Sequence, residues 1–299
     1  MCLAIGVDVG GTKVAAGVVD EQGRIVEKLR RPTPSSSPEQ TAITISDVVA
    51  ELMSRHAVGA VGLGVAGFVD EARAHVVFAP NLAWRGEPVQ KVVQDRLGVP
   101  VVVENDANAT VWAETRFGAA HGDGYVILIT VGTGIGCGIV VDGELYRGRW
   151  GIGGEAGHYR VVPDGRLCGC GNRGCWEQYA SGNALVAEAR DFARRSPAAA
   201  VRLLELAGGT PDGIAGPEIT LAATEGDPAA LRCFSILDPR SPPGLPCPGG
   251  DPGSRMFCRG RRRLCGGETT AGPGQGGVRE GPHRQRVPHA GRDHARAAR

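Results

Sequence analysis

The sequence predicts an α/β chain of two similar halves set around a cleft, and three features carry that prediction. Short apolar runs alternate with segments of helical spacing through the first 237 residues, the pattern of a layered α/β architecture. A strand, a glycine turn and a second strand occur near residue 10 and again near residue 132, so each half opens with the same hairpin. Beyond residue 237 the periodicity stops.

Taken in order, residues 3–9, 12–19 and 23–29 are apolar runs, the first two joined by Gly10-Gly11 as a hairpin. Residues 38–56 carry helical spacing through Ile43, Ile45, Val48, Val49 and Leu52, with Ser35, Ser36 and Ser37 as N-cap candidates. A buried strand at 60–65 is followed by a helix at 87–97, a short strand at 101–103 and a helix at 106–117 closed by Gly118. The second half repeats the opening: a strand at 125–131, the turn Gly132-Thr133-Gly134 and a strand at 136–141. A glycine-rich loop at 148–157 follows, then helices at 183–195, 198–207 and 219–235, the last spanning Asp227-Pro228.

The net charge of +1 over 299 residues gives no argument for nucleic acid or an acidic membrane. That average hides a break. Residues 238–299 contain 12 Arg, no Lys and five acids, 13 Gly and 9 Pro, but only six residues from Leu, Ile, Val, Met, Phe, Trp and Tyr. Residues 1–237 hold 21 basic against 27 acidic side chains, a net charge of −6. So little apolar side chain cannot offset the tail's chain entropy. The expected organisation is therefore a first lobe over 1–118, a truncated second lobe over 119–237 and a tail without fold. No run reaches the roughly 18 apolar residues of a membrane span, and the N-terminus lacks a signal-peptide pattern. The nine Cys are odd in number and clustered, which reads as metal ligands plus buried thiols in a reducing cytoplasm.

Four motifs carry chemistry. In Asp8-Val9-Gly10-Gly11-Thr12-Lys13 the glycines let backbone N–H groups approach an anion, Thr12 adds a donor and Asp8 can orient a hydrated Mg²⁺. A plain hairpin turn and an ordinary strand lysine remain the alternatives. The loop Gly132-Thr133-Gly134-Ile135-Gly136 favours the phosphate reading, since two such loops could grip one polyphosphate. Glu104-Asn105-Asp106-Ala107-Asn108 places carboxylates where a strand meets a helix, the edge at which ligands collect in open α/β sheets. Asp106 could be a general base and Asn105 a hydroxyl ligand, or either could merely cap the helix. Asn81-Leu82-Ala83-Trp84 offers an amide and an aromatic to a sugar, with packing of Trp84 the alternative.

The most specific constellation is His158 with Cys168, Cys170 and Cys175, separated by nine, one and four residues. One imidazole and three thiolates form the closed tetrahedral set of a structural Zn²⁺ site. Glu155 and Glu177 flank those ligands, placed either to face the cleft or to stand solvated on the loop.

These motifs, together with Gly64-Val65-Ala66-Gly67-Phe68-Val69-Asp70 and Gly154-Glu155-Ala156-Gly157-His158, resemble the ROK family of sugar kinases and their bacterial glucokinases over about residues 3–237. The resemblance implies two actin-like, ribonuclease H-like lobes of hexokinase type that close over their substrates. It implies ATP-dependent phosphorylation of glucose at the 6-hydroxyl, with Asp106 as base and Mg²⁺ and structural Zn²⁺ as metals. Gly67, Asn81, Asn105, Asp106, Glu155, His158 and Glu177 would surround the sugar. Asp8, Gly10, Gly11, Thr12, Lys13, Thr133 and Gly134 would serve the nucleotide phosphates. A homo-oligomer is implied for the intact protein; a related hexose or N-acetylhexosamine kinase, or a non-catalytic sugar-binding remnant, is the alternative. A transcriptional repressor of the family would need a DNA-binding extension before Leu3.

The same family expects a strand, an adenosine-binding glycine loop and a closing helix after residue 235. Ile236-Leu237-Asp238-Pro239 echoes the opening of that strand, but no strand is expected in place after it. One codon choice for residues 244–254, read one base later, yields Ala-Cys-Pro-Ala-Arg-Ala-Ala-Ile-Leu-Asp-Pro. Continuing through 255–267 yields Gly-Cys-Ser-Val-Val-Gly-Gly-Gly-Val-Ser-Ala-Ala. The expectation is a shifted reading frame between about residues 235 and 245, impaired activity, and apolar faces left uncovered within 198–237.

Overall fold

In the computed structural model, which describes residues 3–236 and the backbone of 255–260, the chain opens with the expected hairpin. Strands β1 (Leu3–Val9) and β2 (Lys13–Val19) pair antiparallel, from Ala4 opposite Val19 to Val9 opposite Val14. Alternation puts Ile5, Val7 and Val9 of β1 and Val14, Ala16 and Val18 of β2 on one buried face. Strand β3 (Ile25–Pro32) continues the antiparallel pairing on β2. Helix α1 (Pro38–Met53) then crosses that face. Of the three candidate caps it uses Ser37, whose hydroxyl accepts from the Gln40 N–H, with Pro38 in the first turn. Its buried Ile45, Val48, Val49 and Leu52 lie at helical spacing.

Strand β4 (Val58–Val65) runs parallel to β1. A small antiparallel sheet absent from the sequence reading follows: β5 (Phe68–Val69), β6 (Val76–Phe78) and β7 (Arg85–Glu87). Strands of two and three residues are too short to leave a periodic signal. Helix α2 (Val89–Leu97) ends at Gly98, which supplies the left-handed φ of +70° that its cap requires. Strand β8 (Val101–Asn105) adds parallel to β4 and leads directly into α3 (Asp106–Phe117). The first sheet therefore reads β3-β2-β1-β4-β8, with β2 alone antiparallel to the rest.

The second half repeats this order. Strands β9 (Val126–Val131) and β10 (Ile135–Val141) form the second hairpin, and the short β11 (Glu144–Leu145) pairs antiparallel on β10. Helices α4 (Glu177–Ala180), α5 (Gly182–Arg195), α6 (Val201–Leu206), α7 (Gly216–Thr224) and α8 (Pro228–Ile236) follow. The expected 198–207 helix begins one turn later, after a 3₁₀ turn at Pro197–Ala199. The expected 219–235 helix is two helices. Gly226 turns the chain at φ +84°, and Asp227 then caps α8 by accepting from the Ala230 N–H.

The described part of the tail departs from expectation. Residues Arg255–Gly260 form β12, parallel to β9, so the second sheet reads β11-β10-β9-β12. That is the place β4 holds against β1 in the first half. An open parallel edge on β9 offers backbone donors and acceptors to any extended segment, and Met256-Phe257-Cys258 is the densest apolar triplet of the tail. The rest of 238–299, with Cys247 and Cys265, and Cys2 at the N-terminus, lie outside the described residues.

Separate apolar clusters fill the halves. One joins the first sheet to α1 and α2 and includes Trp84, 1% exposed; the aromatic of the 81–84 turn thus serves packing. A second cluster unites α5 to α8 around Leu203, Ile214, Ile219 and Cys233. Val201, Leu221 and Leu231 of those helices stand exposed. Cys137 and Cys233 are buried free thiols. Among the described residues, no helix is long and apolar enough to cross a membrane.

Candidate functional site

The site assembles where β1, β4 and β8 end and the second hairpin faces them. The first hairpin turn is closed by the Gly10 N–H donating to the Lys13 carbonyl at 3.0 Å and by Thr33 Oγ1 donating to the Gly10 carbonyl at 2.7 Å. Lys13 opens β2, and its part in this turn is that backbone carbonyl. Gly11 packs directly on the turn that carries Asn81: a Cβ there would lie 2.8 Å from both Asn81 Cβ and the Asn81 carbonyl oxygen. Gly67 is similarly confined, with a Cβ position 2.7 Å from the Phe78 carbonyl oxygen. Close backbone approach, with no need of a positive φ, is what requires glycine at both positions.

At the end of β8, Asn105 does two things. Its Oδ1 accepts from the N–H groups of Ala107 and Asn108, capping α3, while its Nδ2 donates to the Gly67 carbonyl at 3.1 Å. The capping and site readings of this motif are therefore compatible, because the cap fixes the residue that follows. Asp106 begins α3 with its side chain reaching the surface, and the protein packed around it strips part of its hydration. That desolvation, reinforced by the nearby Asp8 carboxylate, pushes its pKa up to about 6. Glu155, half-buried in the second half, is pushed up to about 7 by burial, then by Asp106 and Glu177. Asp8, Asp106, Glu155 and Glu177, drawn from four separate segments, thus form one carboxylate group.

The second glycine loop closes on the same group. The Gly132 N–H donates to the Gly134 carbonyl, and Gly182 and Asn183 at the start of α5 donate to Gly132 and Thr133. A Cβ on Gly134 would meet Glu177 Oε2 at 2.8 Å, so Glu177 lies against this loop.

His158, Cys168, Cys170 and Cys175 converge, their ligand atoms all within 4.8 Å of one another. Cys168 Sγ lies 3.6 Å from His158 Nδ1, and Cys170 Sγ lies 3.7 Å from Cys175 Sγ. Tetrahedral Zn²⁺ with bonds of about 2.3 Å to sulfur and 2.0 Å to nitrogen would set such edges at roughly 3.6–3.8 Å, so the residues fit that ion. Glu177 joins this cluster to the carboxylates: Cys168 Sγ donates to its Oε1 at 3.1 Å, and His158 Nδ1 lies 3.7 Å from the same oxygen. The ring of Phe68 packs on His158 at 6.0 Å and stacks on Phe78.

Three residues that sequence reasoning left without a role support the site. Arg85 Nη1 donates to the carbonyls of Ala79, Leu82 and Trp84, holding the Asn81 turn, and its guanidinium lies over the Phe78 ring. Glu104 and Arg147 form a buried ion pair at 2.9 Å, with side chains 12% and 10% exposed. Glu104 was visible inside its motif, whereas Arg85 and Arg147 carry no local signal, because their partners are backbone carbonyls or residues distant in sequence.

The ROK family profile matches residues 4–239. The chain is 52% identical over 237 residues to a glucokinase of Streptomyces coelicolor, covering 79% of this chain and 74% of that protein. It is 38% identical over 229 residues to a glucokinase of Thermotoga maritima, covering 76% and 71%. Among solved structures it is similar to a ROK family glucokinase from Streptomyces griseus in complex with glucose and AMPPNP. That match has a TM-score of 0.73 and 54% identity, over 79% of this chain and 75% of that one.

Proposed function

The chain belongs to the ROK family and is a phosphotransferase of the sugar-kinase class, and we propose that it transfers the γ-phosphoryl group of ATP to the 6-hydroxyl of glucose. The observation that carries this reading is the carboxylate group around Asp106. A base near 6 is ionised at neutral pH yet more basic than an ordinary aspartate, suited to accept a hydroxyl proton as the phosphoryl group arrives. Asn105, fixed by its cap and by Gly67, and Asn81, seated on Gly11, are placed to orient sugar hydroxyls. Glu155 accepts sugar hydroxyl hydrogens from the second half.

The reaction asks mostly for positioning and charge neutralisation. Backbone N–H groups of the two glycine loops other than those of Gly10 and Gly132, which close the turns, would supply donors to the phosphates, with Thr12 and Thr133 adding hydroxyls. Asp8 is the acid placed to hold a hydrated Mg²⁺, which would neutralise the transferring phosphates. His158, Cys168, Cys170 and Cys175 would hold a structural Zn²⁺, which would order the loop carrying Glu177 and the 155–158 segment. Asp106 is the group that takes the proton, and Gly67, Asn81, Asn105 and Glu155 keep the 6-hydroxyl facing it.

We further propose that residues 238–299 come from a shifted frame and weaken this activity. Similarity to the family ends at residue 239, where the composition breaks. The six residues of β12 are those whose codons, read one base later, can yield Gly-Cys-Ser-Val-Val-Gly. A frame restored there would put an apolar strand at the place of β12 and return the glycine loop after it.

The test is formation of the corresponding sugar phosphate by the chain and by its frame-restored counterpart, with glucose, fructose, allose and N-acetylmannosamine as acceptors and ATP or polyphosphate as donor. Preference for glucose and ATP, with the restored chain far more active, supports both proposals. Preference for another sugar or donor overturns the substrate, and equal activity of the two chains overturns the impairment.

A further inference from the structure

The buried pair Glu104–Arg147 has no place in the chemistry above, yet it ties together the two segments that supply it. Glu104 stands two residues before Asp106. Its Oε1 accepts from the Asn105 N–H at 2.9 Å and from Asn108 Nδ2 at 3.1 Å, so one carboxylate oxygen braces the first turn of α3. Its Oε2 faces Arg147 Nε at 2.9 Å and Arg73 Nε at 3.3 Å. Arg147 comes from the second half, just past β11, and spends the rest of its guanidinium on the first half. Nη1 donates to the Glu71 carbonyl at 2.9 Å and Nη2 to the Asp70 carbonyl at 2.8 Å. Two of its nitrogens thus donate to carbonyls while Nε meets the carboxylate as a charge contact without a hydrogen bond, a three-way reach that a single lysine ammonium could not reproduce.

The turn that receives Arg147 is itself rigid. Asp70 Oδ1 accepts from the N–H groups of Ala74 and His75, and Oδ2 pairs with His75 Nδ1. Arg73 is held in the left-handed region at φ +58°, and its carbonyl accepts from the Val103 N–H of β8. On the other side, the Gly153 N–H donates to the Arg147 carbonyl, folding the 148–153 loop back on itself two residues before Glu155. Gly151 at the loop tip seats on the same turn: a Cβ there would lie 2.6 Å from the Asp70 carbonyl carbon.

We infer that Arg147 and Glu104 are positioning residues, a buried latch that sets Asp106 of the first half and Glu155 of the second at one fixed spacing around the sugar. The inference rests on the sugar-kinase reading only for the roles of Asp106 and Glu155. The latch is a contact of the fold whichever sugar is bound. Removing Arg147 would leave the Glu104 carboxylate only the more exposed Arg73 as counter-charge, and removing Glu104 would leave Arg147 held by the Asp70 and Glu71 carbonyls alone, so both single variants should disturb both segments. Losing the two together should be no worse than losing one.

The test uses the full chain and hydrogen–deuterium exchange, with glucose affinity measured by calorimetry. Arg147→Met should raise exchange about tenfold in both 104–108 and 153–158 and weaken glucose binding by a similar factor. Glu104→Gln should do the same, and the double variant should match the singles. Arg147→Lys, which keeps the charge but loses the fork, should fall between wild type and Arg147→Met; this variant decides the matter if Arg147→Met does not fold. Faster exchange confined to 70–75 or to 146–153, or losses that multiply in the double variant, would overturn the latch. If the wild-type chain binds no glucose, the substrate reading fails, while the paired exchange response still supports or overturns the latch.

Discussion

Gly11→Ala is the sharpest steric test of how the two substrate loops meet. The added Cβ would stand 2.8 Å from both Asn81 Cβ and the Asn81 carbonyl oxygen, where ordinary contact begins near 3.4 Å. The overlap must be relieved by moving one loop, and neither yields freely. Arg85 holds the Asn81 turn through three carbonyls, the Ala83 N–H donates to the Ser35 carbonyl at 2.8 Å, and Trp84 is buried beneath. The Gly10–Thr12 side is fixed by Thr33 and by its own turn bond. Overpacking of this kind costs about 1–3 kcal/mol, or a fall in Tm of roughly 2–10 °C for a chain of this size. A displacement of about 0.6 Å at one loop should lower kcat/KM about tenfold, with KM rising for glucose or ATP according to which loop yields. Gly62→Ala, whose Cβ would meet nothing within 4 Å, is the control. Thermal melts and steady-state kinetics read the outcome. Unchanged Tm and unchanged KM for both substrates in the Gly11→Ala variant would refute the contact.

Charge and metal supply two further tests. Raising Glu155 to about 7 means the folded state holds that proton more tightly than the unfolded state does, so stability falls as pH rises from about 4.5 to 7. Once both states are ionised the cost reaches at most roughly 3 kcal/mol, cut to about 1 kcal/mol by solvent at a half-buried carboxylate. Glu155→Gln should therefore be more stable than wild type at pH 8 and indistinguishable from it near pH 4, by thermal melts across pH; equal stability at both pH values contradicts the assignment. Removing zinc with a chelator, or replacing Cys175 by Ser, should weaken glucose binding at least tenfold through Glu177 and the 155–158 segment. Metal analysis should return one zinc per chain before treatment, and a zinc-free chain with full glucose affinity contradicts this role.

How far the sequence could be read follows from how local each cause is. The hairpins, α1 and α3 rest on periodicity and caps within a few residues, and they stand where the sequence puts them. The Cys-His cluster was legible because one His and three Cys at close spacing admit few other uses. The 219–235 helix divides because Gly226 and Pro228 outweigh an apolar pattern that continues across them. Strand β12 was missed because its support is a ladder on β9, more than a hundred residues earlier, which no local propensity reports. Arg147 was missed for the same reason, since it holds backbone more than seventy residues away, and Arg85 because its partners, though local, are backbone carbonyls that leave no side-chain pattern. Asn105 shows the opposite case: the cap read from the sequence is present, and the same side chain also reaches the Gly67 carbonyl.

Asp106→Asn tests the central claim most directly, with glucose 6-phosphate formation and glucose binding measured on the same preparation. Turnover should fall at least about a thousandfold while calorimetric glucose affinity stays within a few-fold. Wild-type turnover should also drop on acidification through pH 6, as the base takes up its proton. Turnover that survives the substitution, or a wild-type profile flat between pH 5 and 7, would contradict the assignment of Asp106 as the base.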